Sequence, residues 1–230
     1  MFALATGKSL HRLALVMSLA LCGGGTFAAY SEARSYVSSG LTPAESFAAL
    51  AADEQVPGLS VTSTRLVLDN CYDAITAIYG RVQPSTKRDA VASNCLRQAD
   101  AVIQAMPSHS FAWFVGALAA LQLDSRGGFT DRLRQSQLTG PNEQWIAELR
   151  VGLAEDNFGM LPSDVRELND RDLGLLVVSD RGIASIAQRY ISNPAFRERI
   201  TVIVEQLPER DQQRFVSTIE TATGQGRQPS

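Results

Sequence analysis

The sequence is short of the residues that do most enzymatic chemistry. Among 230 residues there are two histidines, His11 and His109, and three cysteines, Cys22, Cys71 and Cys95. So few imidazoles leave no Cys/His set for zinc and no base beside a nucleophilic thiol. No Cys-x-x-Cys occurs, which argues against a thioredoxin-type redox pair. The one triple-glycine run, Gly23–Gly25, has no lysine after it and cannot form a phosphate loop. No catalytic residue, metal ligand or cofactor site is therefore expected.

Strand signals are also missing. There is no Asn-Gly or Asp-Gly hairpin turn and no sustained alternation of apolar and polar residues. "LGLLVVS" (Leu173 to Ser179) and "ITVIVEQL" (Ile200 to Leu207) are β-branched, but each lies inside helical patterning. An excess of positive charge is absent too. The net charge is -3 and the basic residues are dispersed, which argues against a nucleic-acid partner. What is present is a hydrophobic content of 45%, enough for one domain or two small ones.

The N-terminus differs from the rest. Lys8, His11 and Arg12 precede the apolar run "LALVMSLALC" (Leu13 to Cys22), and "GGGTFA" is expected to break it. Thr26 and Ala28 are the small residues that a signal peptidase requires, so residues 1–28 read as a secretory signal cut after Ala28. Export to the periplasm or outside the cell follows. Lipidation at Cys22 and an uncleaved anchor stay as alternatives, the anchor being the only membrane contact expected. Loss of Lys8 and Arg12 from the 21 basic residues leaves 19 against 24 acidic ones, a net charge of -5.

Cleavage leaves Cys71 and Cys95. Leu68, Cys71, Ile75, Ile78 and Val82 recur at helical spacing, as do Val91, Cys95, Ala99 and Val102, with "GRVQP" between them. The two cysteines are equidistant from that turn, each about 14 Å along its helix. An antiparallel hairpin over about 62–80 and 85–105 brings them together. An even thiol count in an oxidising compartment then predicts a disulfide. Closing about 25 residues contributes roughly 3 kcal/mol.

Caps and breakers place the other helices. "TPAE" (Thr42 to Glu45) is a capping box. "PSHS" (Pro107 to Ser110) opens a helix that "DSRGG" ends, and "FTDRLRQSQL" forms the next. A helix over about 142–157 precedes the linker "FGMLPSD", where Ser163 is the expected cap. Further helices are expected at about 163–178, 180–191, 194–206 and 208–222, with residues 223–230 a disordered tail.

Trp113, Gly116, Ala117, Ala120, Phe129, Leu133, Ser136 and Pro141 fall at a spacing that resembles a tetratricopeptide repeat, a 34-residue helix pair. Pro107 and Pro141 stand 34 apart, and Trp145 follows Trp113 by 32. Phe129 departs from the family pattern, which usually has Ala there. The resemblance implies an all-α fold of antiparallel hairpins stacked as a short solenoid over 29–158, with Trp113, Phe129, Leu133, Pro141 and Trp145 in the repeat core. Residues 159–222 would form a C-terminal helical bundle or cap. It also implies a non-enzymatic adaptor that binds envelope proteins, in the setting of envelope or exopolysaccharide assembly.

Other candidates are weaker. His109 reads as a capping or surface histidine. "NDRDLG" (Asn169 to Gly174) misplaces the glycine of a calcium loop and reads as a solvated helix surface. Glu143, Glu148 and Glu155, with Arg150 nearby, read as a charged face rather than a glycosidase acid. Arg181, Arg189, Arg197 and Arg199, with Tyr190 and Phe196, form a candidate binding patch for an anionic glycan. Against this, the arginines could pair with Asp180, Glu198 and Glu205. A glycan-binding module or a small glycan-cleaving enzyme is the alternative to the adaptor.

Overall fold

The computed structural model describes residues 7–53, 55 and 57–225, and helices are the only regular elements among them. The chain divides into two compact units, residues 1–94 and 95–230.

The first unit holds α1 (Gly7–Ser39), α2 (Pro43–Ala51), α3 (Val61–Thr76), α4 (Ile78–Arg81) and the start of α5 (Ser85–Ala105). Helix α1 does not break at Gly23–Gly25, contrary to expectation. Leu and Ala on both sides carry the helix through, and the Thr26 hydroxyl donates back to the Cys22 carbonyl at 2.8 Å. His11–Val37 is long and apolar enough to cross a membrane, with a mean hydropathy of 1.7, and it fits a signal segment. Beyond Ala28 the same helix is tied down. The Glu32 carboxylate accepts from the Leu59 and Ser60 amides at 2.5 and 2.7 Å and from the Ser60 hydroxyl at 2.6 Å. It thus joins Ser60, which caps α3 by accepting from the Ser63 amide.

The segment expected as one helix over 62–80 is two. Ala77 is extended, with ψ 154°, so α4 folds back on the end of α3. This return needs Gly80: a Cβ there would lie 1.8 Å from the Ala74 carbonyl oxygen. Thr42 and Glu45 form the expected capping box on α2. Phe47, Leu50, Val67 and Leu68 form the core of this unit. Cys71 on α3 and Cys95 on α5 are fully buried and disulfide-bonded, which fits an oxidising compartment.

The second unit continues through α6 (Ser110–Gln122), α7 (Arg126–Thr139), α8 (Gln144–Asp156), α9 (Ser163–Leu176), α10 (Asp180–Ser192), α11 (Pro194–Glu205) and α12 (Glu209–Gln225). His109 caps α6, its Nδ1 accepting from the Ala112 amide at 3.1 Å. Ser163 is the first residue of α9 rather than its cap, which is Pro162. Helix α6 packs along α7, and Ala117 and Ala120 meet Phe129 and Leu133 between them. Small residues on one helix thus admit a large ring from the other. Leu173, Leu176, Ile183, Phe196, Ile200 and Phe215 form a second cluster over α9 to α12. Burying each such side chain contributes about 1.5–3 kcal/mol. Helix α12 reaches Gln225, three residues into the tail expected to be disordered, and residues 226–230 lie outside the described residues.

Candidate functional site

In the second unit, polar and aromatic contacts recur at one sequence separation. At the starts of α6 and α8, the Ser110 hydroxyl donates to Glu143 at 3.0 Å, and the Phe111 and Trp145 rings stand 5.2 Å apart. At the starts of α8 and α10, the Gln144 side chain donates to the Ser179 hydroxyl at 2.6 Å, and Arg181 holds Glu148 at 3.0 Å. Two turns further along, Arg189 pairs with Asp156 at 2.5 Å. These partners are 33 to 35 residues apart in the chain. Because 148 meets 181 and 156 meets 189, α8 and α10 run parallel. A contact at 32 residues links α5 to α7, where Arg132 donates to Asp100 at 2.5 Å. Side chains from alternate helices therefore share faces.

The expected repeat-core residues distribute as follows. Phe129 and Leu133 are fully buried. Trp113 is half-buried and donates its indole N–H to the Pro107 carbonyl at 2.8 Å. The aromatic core of α6 is supplied instead by Phe111 and Phe114, whose rings are stacked at 6.1 Å. Trp145 is half-buried against Phe111, and Pro141 is exposed.

The arginine-rich region is engaged, but not with the acids expected. Arg181 and Arg189 reach Glu148 and Asp156 on α8. Arg199 pairs with Glu155 and lies 3.7 Å over the Phe158 ring. Arg197 donates to the Tyr190 and Ile191 carbonyls and lies over the Tyr190 ring at 5.5 Å. Tyr190 meets Phe215 edge-on, and Phe196 is fully buried. Sequence neighbours lose to residues one helix pair away, because stacking brings α8 alongside α10. Burial pushes the Asp170 carboxyl up, against the pull of Arg199.

Two readings of surface residues need correction. Arg150, Asn169 and Asp172 are not on charged or solvated faces; all three are buried. Arg150 grips Asp172 with two bonds of 2.7 and 2.6 Å and donates also to the Ser136 and Gly140 carbonyls. Gln137 adds a third donor to Asp172 at 3.1 Å. Each guanidinium nitrogen and both carboxylate oxygens of the ion pair are used internally, so it holds α7, α8 and α9 together. The signal was present: Arg150 lies in register with Ile146, Ala147, Val151 and Ala154.

In the first unit, α2, α3 and α4 enclose a cleft of about 310 Å³. Leu41, Phe47, Ala74, Ala77 and Tyr79 supply apolar walls. Phe47 and Tyr79 meet edge-on with ring centroids 5.9 Å apart. Asn70 and Asp73 bring polar groups to the wall formed by α3. Asp69, one turn before Asp73, is held by Arg65 at 3.0 Å. Asp73 has no ion pair among the described residues, and its carboxyl is pushed up, first by partial burial and then by Asp69. No group of three or more metal-ligating side chains occurs among the described residues.

Compared with known proteins, the chain matches no family model, no curated protein and no solved structure.

Proposed function

We propose that this chain is an exported, non-enzymatic helical adaptor of the cell envelope, built as a short tetratricopeptide-like stack. The observation that carries the reading is the recurring contact between side chains 33 to 35 residues apart on α6, α8 and α10. A repeat of that length places equivalent helices of successive units side by side and parallel. The pairs α6/α7, α8/α9 and α10/α11 are then three successive hairpins, and α12 is the terminal cap. In such a stack the alternate helices present one continuous surface, which suits a protein segment better than a small substrate.

The apolar N-terminal helix and the disulfide fit export to the periplasm or beyond. Exopolysaccharide or envelope assembly is the setting that the repeat resemblance implies. The alternative, a glycan-binding or glycan-cleaving protein, has the Arg199–Glu155 pair and nearby Asp170 in its favour.

The test is chemical crosslinking in living cells, recovery of the tagged chain and mass spectrometry. One envelope protein should be recovered reproducibly, at defined stoichiometry. Co-purifying glycan without a protein partner would overturn the adaptor reading and favour the alternative.

A further inference from the structure

The cleft of the first unit is outside the helical stack and the adaptor reading does not use it. It has the two parts of a receptor for a cationic side chain. Tyr79 and Leu41 offer exposed apolar surface to an alkyl stem, and the buried Phe47 ring lines the floor between them. Asp73 offers a charge at the same wall, and among the described residues it is the carboxylate there without a counter-ion, since Asp69 is taken by Arg65. We infer that this cleft docks a lysine side chain of a partner protein, its stem against the Phe47–Tyr79 pair and its ammonium on Asp73.

The chemistry favours lysine on several counts. The aliphatic stem covers apolar surface while the head stays near water, as the exposed position of Asp73 requires. An ammonium is a compact point charge that a single carboxylate can hold. Aromatic faces add attraction for a cation beside them. A neutral ligand would leave Asp73 as it stands, partly desolvated and repelled by Asp69. A cation offsets both by direct attraction to the carboxylate.

The shape of the cleft is fixed by the close approach at Gly80 and by the Ala77 bend, so it is preformed. Its volume, about 310 Å³, matches one long side chain with a flanking residue.

The experiment titrates the exported full chain, disulfide intact, with three peptides, followed by amide NMR shifts. The peptides are Ac-Leu-Ala-Lys-Ala-Leu-NH2 and its norleucine and glutamate counterparts. The lysine peptide should shift the amides of Ala74, Ala77 and Gly80. The norleucine peptide, which keeps the stem and loses the charge, should bind at least tenfold more weakly, and the glutamate peptide not at all. Asp73→Asn should bring the lysine peptide down to the norleucine level, while Asp73→Glu retains most of its affinity. Asp69→Asn should have a much smaller effect.

Equal binding of lysine and norleucine peptides, shifts confined to other residues, or no shift at millimolar peptide would each overturn the inference. n-Hexylamine, run as a competitor, separates a peptide site from one for small amines. Competition by the amine at equal or lower concentration than the peptide would contradict a protein partner and assign the cleft to a free amine.

Discussion

Arg150 and Asp172 form a two-pronged ion pair inside the second unit, with side chains 0% and 4% exposed. Neither charge has access to water, so each depends on the other. Arg150→Ala or Asp172→Ala leaves a buried charge without its partner and should cost about 3–5 kcal/mol. Arg150→Met with Asp172→Leu should recover much of that loss. Urea denaturation followed by circular dichroism reads both. Single variants as stable as the parent would contradict the pairing.

Thiol counting tests export and the disulfide together. Cys22 is free and exposed, whereas Cys71 and Cys95 are bonded. Under denaturing, non-reducing conditions, a chain cut after Ala28 should take up no alkylating reagent, and an uncut chain one equivalent. Reduction should add two in either case. Cys71→Ser with Cys95→Ser should lower stability by roughly 3 kcal/mol. Two reactive thiols in the unreduced exported protein would contradict the bond.

Glu32 should confer a pH dependence on the first unit. Hydrogen bonds from Ser60, Ser63 and Leu59 outweigh its slight burial and hold its carboxyl below the ordinary 4.5. A depressed folded pKa means that its contribution is fully present above about pH 4.5 and lost as pH falls through the lower folded value. Glu32→Gln should therefore lower the thermal midpoint at pH 7, and the gap from the parent should close on acidification. A gap that widens in acid would contradict this arrangement.

Two glycines should respond in opposite directions to alanine. Gly80→Ala drives a methyl into the Ala74 carbonyl, 1.8 Å away, and should destabilise the α3–α4 return. Gly152, inside α8, has nothing within 4 Å of such a methyl. Gly152→Ala should stabilise by about 0.5–1 kcal/mol through lower chain entropy and better helix propensity. Thermal melts of the two variants check both signs.

Much of the fold was legible because local signals agreed. The Thr42 box and the "GRVQP" breaker put helix limits within a few residues of those observed, as did the helix expected over about 194–206. The disulfide was legible because both cysteines lie on apolar stripes equidistant from a turn. The break at Ala77 was not, since the apolar spacing runs through it and the close approach of Gly80 to Ala74 exists only once the chain has turned back. Arg150, Asn169 and Asp172 were missed because polarity was read as exposure, although their register with apolar neighbours pointed inward. The partners of Arg181 and Arg189 were missed because they lie 33 residues back, visible only once α8 and α10 are side by side. The cleft was illegible for the same reason. Leu41, Phe47, Asp73 and Tyr79 meet only through the folding of three helices.

Site-specific photocrosslinking in cells tests the adaptor reading most directly. A photoreactive residue replaces Arg181, 74% exposed on the face shared by α8 and α10, or Val216, exposed on the terminal helix α12. One discrete protein adduct is expected from position 181 and none from position 216. Adducts of equal yield from both positions, or from neither, would contradict the adaptor reading.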